Sequence, residues 1–170
     1  MFDTCVLGVD PGVAHLGLAV VGRRDRRSEL RWSGTVRTPA DLAEAERLRL
    51  VAAAVRDAIA EHRPDSVAVE RVAWNRNQVS ALQVARATGA VMVVAAEAGL
   101  AVEEYAPSEV KSAITGLGNA DKRQVRQALE RIHGLRDVPR QPDAADAVAV
   151  ALTHVVAARM KGLASRSGTR

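Results

Sequence analysis

Two short apolar runs in this chain each end in a single acid, which points to an α/β fold with a site at one edge of its sheet. Cys5-Val6-Leu7-Gly8-Val9 runs into Asp10 and the turn signal Pro11-Gly12, and Ser66-Val67-Ala68-Val69 runs into Glu70. Runs of this length, apolar throughout and bounded by turn formers, read as buried strands. Acids at the carboxyl ends of such strands lie where α/β sheets usually build their sites. A third segment, Gln141-Pro142-Asp143-Ala144-Ala145-Asp146, introduces an apolar helical run. Residues three apart share a helical face, so Asp143 and Asp146 can point at one spot.

The stretches between these segments predict the remaining elements. Leu16–Val21 and Leu30–Val36 read as two further strands joined by a polar turn at Gly22–Arg27, giving an opening meander. Asp41 is the expected N-cap of a helix, with Glu44 three residues on and an apolar stripe of Leu42, Leu48, Val51, Ala52, Val55 and Ile59 that lasts until Pro64. If that helix is a crossover, the Glu70 strand lies parallel to the first. Val79–Gly99 is helical and apolar on more than one face, with Ala81, Leu82, Val84, Ala85, Val91, Val93 and Val94, so a second side must be buried in a thick core or against another subunit. A dimer is expected. Ala101–Tyr105 reads as a strand, Ser108–Thr115 as a short helix with Ser108 its N-cap, and Asp121–His133 as a helix after a glycine-rich loop. The last helix is expected over Asp143–Lys161. One domain, residues 1–161, is expected, followed by a small basic tail, 162–170, that reads as disordered.

Composition narrows the setting more than the function. No apolar stretch reads as reaching the 18 or more residues of a membrane span, and Met1-Phe2-Asp3-Thr4 lacks the pattern of a secretion signal, so a cytoplasmic protein is expected. The lone Cys5, inside the first strand, reads as an inert buried thiol. A pI of about 10.0 and a net charge of +4 suit an anionic partner without identifying one. The predominance of Arg among the cations, beside abundant Ala, is compatible with a coding bias and carries no functional weight.

Singly, each acid has an ordinary explanation. Asp before Pro-Gly is a common turn former, Glu70 could be a plain strand-end charge, and acids in a first helical turn are favoured by about 0.3–1 kcal/mol. Together they are harder to explain, because four like charges near one another repel and raise one another's pKa values unless cations lie between them. An all-oxygen ligand set selects Mg²⁺ or Mn²⁺, and no His/Cys grouping suggests zinc. The expected activity is that of a metal-dependent nuclease. Of the histidines, His154 on the last helix reads as a packing or surface residue, and His15, His62 and His133 lie in or beside turns.

With these positions placed, the chain resembles the RuvC family of Holliday junction resolvases over all but its tail. The likeness is carried by Gly8-Val9-Asp10-Pro11-Gly12, Val69-Glu70-Arg71-Val72, Ser80-Ala81-Leu82, Tyr105-Ala106-Pro107-Ser108-Glu109-Val110-Lys111, Gly116-Leu117-Gly118, Lys122-Arg123-Gln124-Val125 and Asp143-Ala144-Ala145-Asp146-Ala147. The resemblance implies a ribonuclease H-like α/β fold, a central mixed sheet with helices on both faces. It implies a homodimer that makes paired nicks in four-way DNA junctions, with two Mg²⁺ per active site, Mn²⁺ as a substitute, and 5′-phosphate and 3′-hydroxyl ends. Asp10, Glu70, Asp143 and Asp146 fall on the family's metal-binding catalytic acids, and Lys111 and Lys122 on catalytic basic positions near the scissile backbone. Arg123 and the polar loop with Trp74, Arg76 and Asn77 join the two lysines as DNA-binding candidates. The RuvA-RuvB branch-migration complex is the implied protein partner. One departure stands out: where the family commonly places an aromatic after the catalytic Glu, this chain has Ala73, with Trp74 next to it. Trp74 is the expected replacement as the base-stacking residue. The competing readings are a related nuclease acting on structured RNA, a non-catalytic junction-binding module, and an actin-like ATPase, whose second domain and adenosine loop this chain lacks.

Overall fold

The fold is a five-stranded sheet with helices on both faces, seen in a computed structural model that describes residues 4–25, 27–72 and 78–167, with side chains described through residue 158. β1 (Thr4–Asp10), β2 (His15–Arg24) and β3 (Arg27–Arg37) form the antiparallel meander. α1 (Glu44–His62) crosses to β4 (Ser66–Glu70), parallel to β1, and α2 (Gln78–Glu97) crosses to β5 (Ala101–Tyr105), parallel to β4. The strand order is β3-β2-β1-β4-β5. α3 (Pro107–Thr115), α4 (Lys122–Arg131) and α5 (Pro142–Ser167) complete the chain.

Strand alternation divides the core in two. In β1, Cys5, Leu7 and Val9 join Val67 and Val69 of β4 under α1 and α2, packing with Val51, Val55, Val91 and Val94. Val6 and Ala68 face the other way and pack with Val148, Ala151, Leu152 and Val155 of α5. Because side chains alternate with period two, Asp10 shares the face of Val6 and Gly8, and Glu70 the face of Ala68. Both strand-end acids therefore belong to the α5 side, and α5 opens with the other two.

Close approach of α5 depends on missing side chains beneath it. A Cβ on Gly8 would stand 2.2 Å from the carbonyl oxygen of Ala147, and one on Gly17 would stand 2.0 Å from that of Asp143. Gly17 is also the cross-strand partner of Asp10. These two glycines let the backbone of α5 lie almost on the sheet.

The structure departs from the sequence reading at several ends. Asp41 is not the cap of α1, which starts at Glu44 after Ala43 with no side-chain cap; the Glu44 carboxylate instead takes an ion pair from Arg86 on α2. Ser108 is not the cap of α3 either. That helix begins at Pro107, whose fixed φ suits a first helical position, and Glu109 reaches back to accept from the Ala106 N–H at 2.6 Å. Asp121 lies just outside α4 as its N-cap, in a reciprocal pair with Gln124. The β2–β3 turn is tighter than Gly22–Arg27, with Asp25 at φ 48°. α5 continues beyond residue 161 to Ser167, so the expected tail boundary falls inside a helix. Finally, α2 is long and apolar enough to cross a membrane by length and composition alone, contrary to expectation, because Arg86 and the terminal Glu97 are its only charges. Its Val91, Val94 and Ala95 are nonetheless packed in the core shared with α1.

Candidate active site

Strand ends, a helix start and a lysine-bearing helix meet at one edge of the sheet. Asp10 and Glu70 are largely shielded from water, and burial is the main cause that lifts the Asp10 carboxyl from 3.8 to about 8. The negative charges of Glu70, Asp146 and Asp143 raise it further, in that order. Burial likewise carries Glu70 from 4.5 to about 7, with Asp146 adding to the rise and Lys122 and Lys111 opposing it. Each of these charges acts on Asp10 or Glu70, which brings the four acids and both lysines to one site at this edge of the sheet.

Lys122 is the cation that the acids hold most closely. Its Nζ donates to Asp146 Oδ2 at 2.7 Å, and this hydrogen bond, the largest cause, raises the lysine pKa against the opposing effect of its partial burial. Its place follows from local sequence: Asp121 caps α4, and the next residue opens the helix beside the start of α5. Lys111, on α3, is the other positive charge felt by Glu70. Arg71 follows the acid directly and is tied down twice, its backbone N–H donating to the Tyr105 carbonyl at 2.8 Å and its guanidinium to Glu109 at 3.0 Å.

Among the described residues, no three carboxylate, histidine or thiol groups are drawn together tightly enough to clasp an ion as they stand. The donor set still suits a hard divalent cation. Its oxygens come from separate elements, burial and neighbouring negative charge raise the pKa of two of its carboxyls, a cost that a cation between them would relieve, and the lysine that meets Asp146 is mostly exposed. Asp10, Glu70, Asp143 and Asp146 are the residues that would hold the ion. Once bound, such an ion supplies activation of a water and stabilisation of a leaving oxygen at phosphorus.

Arg123 is exposed and lines a cleft beside Asp146 with Lys122, Arg126 and Arg140. The last two were not singled out from sequence. Arg126 is committed to structure, donating to the carbonyls of Val138 and Pro139 and pairing with Glu130. Trp74, Arg76 and Asn77, with Ala73, lie outside the described residues. His154 packs as expected and has a specific partner, its Nδ1 lying 2.9 Å from the Tyr105 hydroxyl with the rings edge to face. Cys5 is buried, and that burial pushes its thiol pKa up, in keeping with an inert role.

Acids at the ends of two adjacent parallel strands, met by acids on the helix that covers them, define the class: a ribonuclease H-like nuclease fold. A sequence profile of the family described as crossover junction endodeoxyribonuclease RuvC matches residues 6–154. The chain belongs to the RuvC family. The relative named crossover junction endodeoxyribonuclease RuvC from Syntrophomonas wolfei is 39% identical over 165 residues, spanning 97% of this chain and 96% of its own length. Its counterpart in Frankia alni is 47% identical over 151 residues, 88% of this chain and 77% of the relative. Among solved structures, Thermus thermophilus RuvC in complex with a Holliday junction substrate superposes with a TM-score of 0.86 at 40% identity, over 93% of this chain and 96% of that one.

Proposed function

We propose that this chain is a homodimeric crossover junction endodeoxyribonuclease that resolves Holliday junctions in the cytoplasm by paired, Mg²⁺-dependent nicks. The observation that carries this reading is the convergence of Asp10, Glu70, Asp143 and Asp146, in a chain 40% identical to a relative solved with a Holliday junction. Asp10 and Glu70 would hold the metal from the strand ends, and Asp143 and Asp146 from the start of α5. Lys122, paired with Asp146 as the site stands, and Lys111, whose charge reaches Glu70, would both bear on the phosphate being cut. Trp74 stacks on bases at the crossover in place of the aromatic missing at Ala73, with Arg76, Asn77 and Arg123 on the backbone nearby. A branch-migration complex of the RuvA-RuvB kind is the partner that delivers the junction.

The dimer reading draws on α2. Leu82 and Val93 are 50% and 58% exposed, and eleven residues amount to about three helical turns, so both stand on one side of the helix, away from its core face. An isologous two-fold contact would cover that side and place two sites for two nicks.

The test is a labelled synthetic four-way junction incubated with Mg²⁺ or with chelator. Symmetric paired nicks that need metal are expected, abolished in Glu70→Gln and Asp146→Asn while junction binding persists, since each substitution removes an acid and no DNA-facing cation. Cleavage at wild-type rate by either variant would overturn the site, and absence of junction cleavage by the wild type would overturn the function.

A further inference from the structure

The end of the sheet remote from the acids holds a second concentration of charge. β1 pairs with β2 so that Asp10 lies opposite Gly17 and Thr4 opposite Arg23. At about 3.3 Å per residue the strand separates those ends by about 20 Å. There Arg23 and Arg27 of the β2–β3 hairpin meet Arg131, the last residue of α4, and His133 just after it, around a cleft of about 500 Å³ whose lining includes no carboxylate. Among the described residues, the guanidiniums of Arg23, Arg27 and Arg131 have neither a hydrogen-bond nor an ion-pair partner. Arg24 also stands directly opposite Arg27 across the hairpin, a like-charge pairing that weakens a ladder, with an exposed contact from Arg24 to Asp25 at 3.8 Å as its offset among the described residues.

Unneutralised guanidiniums around one hollow repel each other, and an anion with several oxygens removes that repulsion while matching their forked donors. α4 connects this hollow to the acids. It opens with Lys122 beside Asp146 and closes with Arg131 at the cleft, a run of about 15 Å. We propose that the cleft grips the phosphate backbone of a junction arm some distance from the crossover, an inference that rests on the resolvase reading. Duplex DNA rises about 3.4 Å per base pair, so 20 Å corresponds to about six base pairs of arm.

The experiment combines Arg27→Ala/Arg131→Ala in the full chain with junctions whose arms carry neutral methylphosphonate linkages about five to eight base pairs from the crossover. Wild type should bind the neutralised junction more weakly than the native one. The double variant should bind both alike, with a salt slope on native junction shallower by about 1.8, from about 0.9 per lost phosphate. Arg27→Lys/Arg131→Lys should recover most of the slope because it keeps the charge, and unchanged melting would show that all variants are folded. Unaltered affinity and slope in the alanine variant overturn the arm contact, as would be found if an acidic protein segment were the occupant. So does a variant that remains sensitive to the neutral linkages. If wild type neither binds nor nicks any junction, the resolvase reading fails and this contact with it; normal nicking with no arm effect removes the contact alone.

Discussion

Gly17→Ala should disable the site without touching an acid. Its new Cβ would lie 2.0 Å from the Asp143 carbonyl oxygen and 2.4 Å from its carbon, where ordinary contact begins at 3.4 Å, a shortfall of 1.4 Å (3.4 less 2.0) against the oxygen. Neither neighbour is a flexible side-chain end, so β2 or the first turn of α5 must yield by more than an ångström. That turn carries Asp143 and Asp146, and Asp10 sits across from Gly17 itself. Overpacking of this kind costs about 1–3 kcal/mol of stability, and a misplacement of about 1 Å at a catalytic centre can cost about 100-fold in rate. We expect single-turnover junction cleavage to fall by about that factor well below the melting temperature, with a rise in the Mg²⁺ needed for half-maximal rate and junction affinity little changed. Gly8→Ala, whose Cβ would meet the Ala147 carbonyl at 2.2 Å, should destabilise similarly but shift α5 one turn further from its start. A Gly17→Ala protein that cleaves at wild-type rate and metal dependence would refute the claim that this glycine sets the spacing of the acids.

Three other outcomes follow from the same geometry. Asp10 and Glu70 have folded pKa values, about 8 and about 7, above their ordinary 3.8 and 4.5. Their contribution to stability is therefore full below about pH 4 and is lost as pH rises through about 8. Mg²⁺ stabilisation should grow over the same window as metal displaces protons, measured as a melting shift and compared with Asp10→Asn; a shift of equal size at about pH 5 and pH 8 would contradict it. Lys111→Ala and Lys122→Ala should each slow cleavage and reduce the salt slope of junction binding by about one unit, whereas an altered sequence preference at constant slope would speak against phosphate contacts. Leu82→Glu, by charging the exposed side of α2, should give monomers or insoluble chain in sedimentation; a soluble dimer with normal paired nicking would count against that interface.

What the sequence made legible was what a single element decides. Asp10 and Glu70 could be placed at strand exits because each closes an apolar run, and strand parity alone puts them on one face of the sheet. The paired aspartates were readable because three residues bring a helix back to the same side. Helix starts were less legible, since capping depends on where a side chain is drawn by distant partners: Glu44 is taken by Arg86, which lies far along the chain, and Asp41 is left outside the helix. The tie between Tyr105 and His154 was likewise invisible, because it joins a strand to a helix across a sequence gap that no periodicity spans.

The glycines carry the deeper point. A glycine inside a strand is by itself only a weak spot or a bulge signal, because a missing side chain says nothing about what fills its space. In the structure the space at Gly8 and at Gly17 is filled by backbone of α5, and α5 is rich in alanine where it meets them. The acids can converge only if that helix lies closer to the sheet than ordinary side chains allow. The small residues on both surfaces are thus part of the site, although none carries a charge or touches a substrate. A chain that kept all four acids but restored a side chain at Gly17 would retain every functional group and lose the distance between them. Searching such sequences for acids alone therefore finds the ligands but misses the residues that set their spacing, which is why the Gly17→Ala measurement tests the site more severely than removal of any one carboxylate.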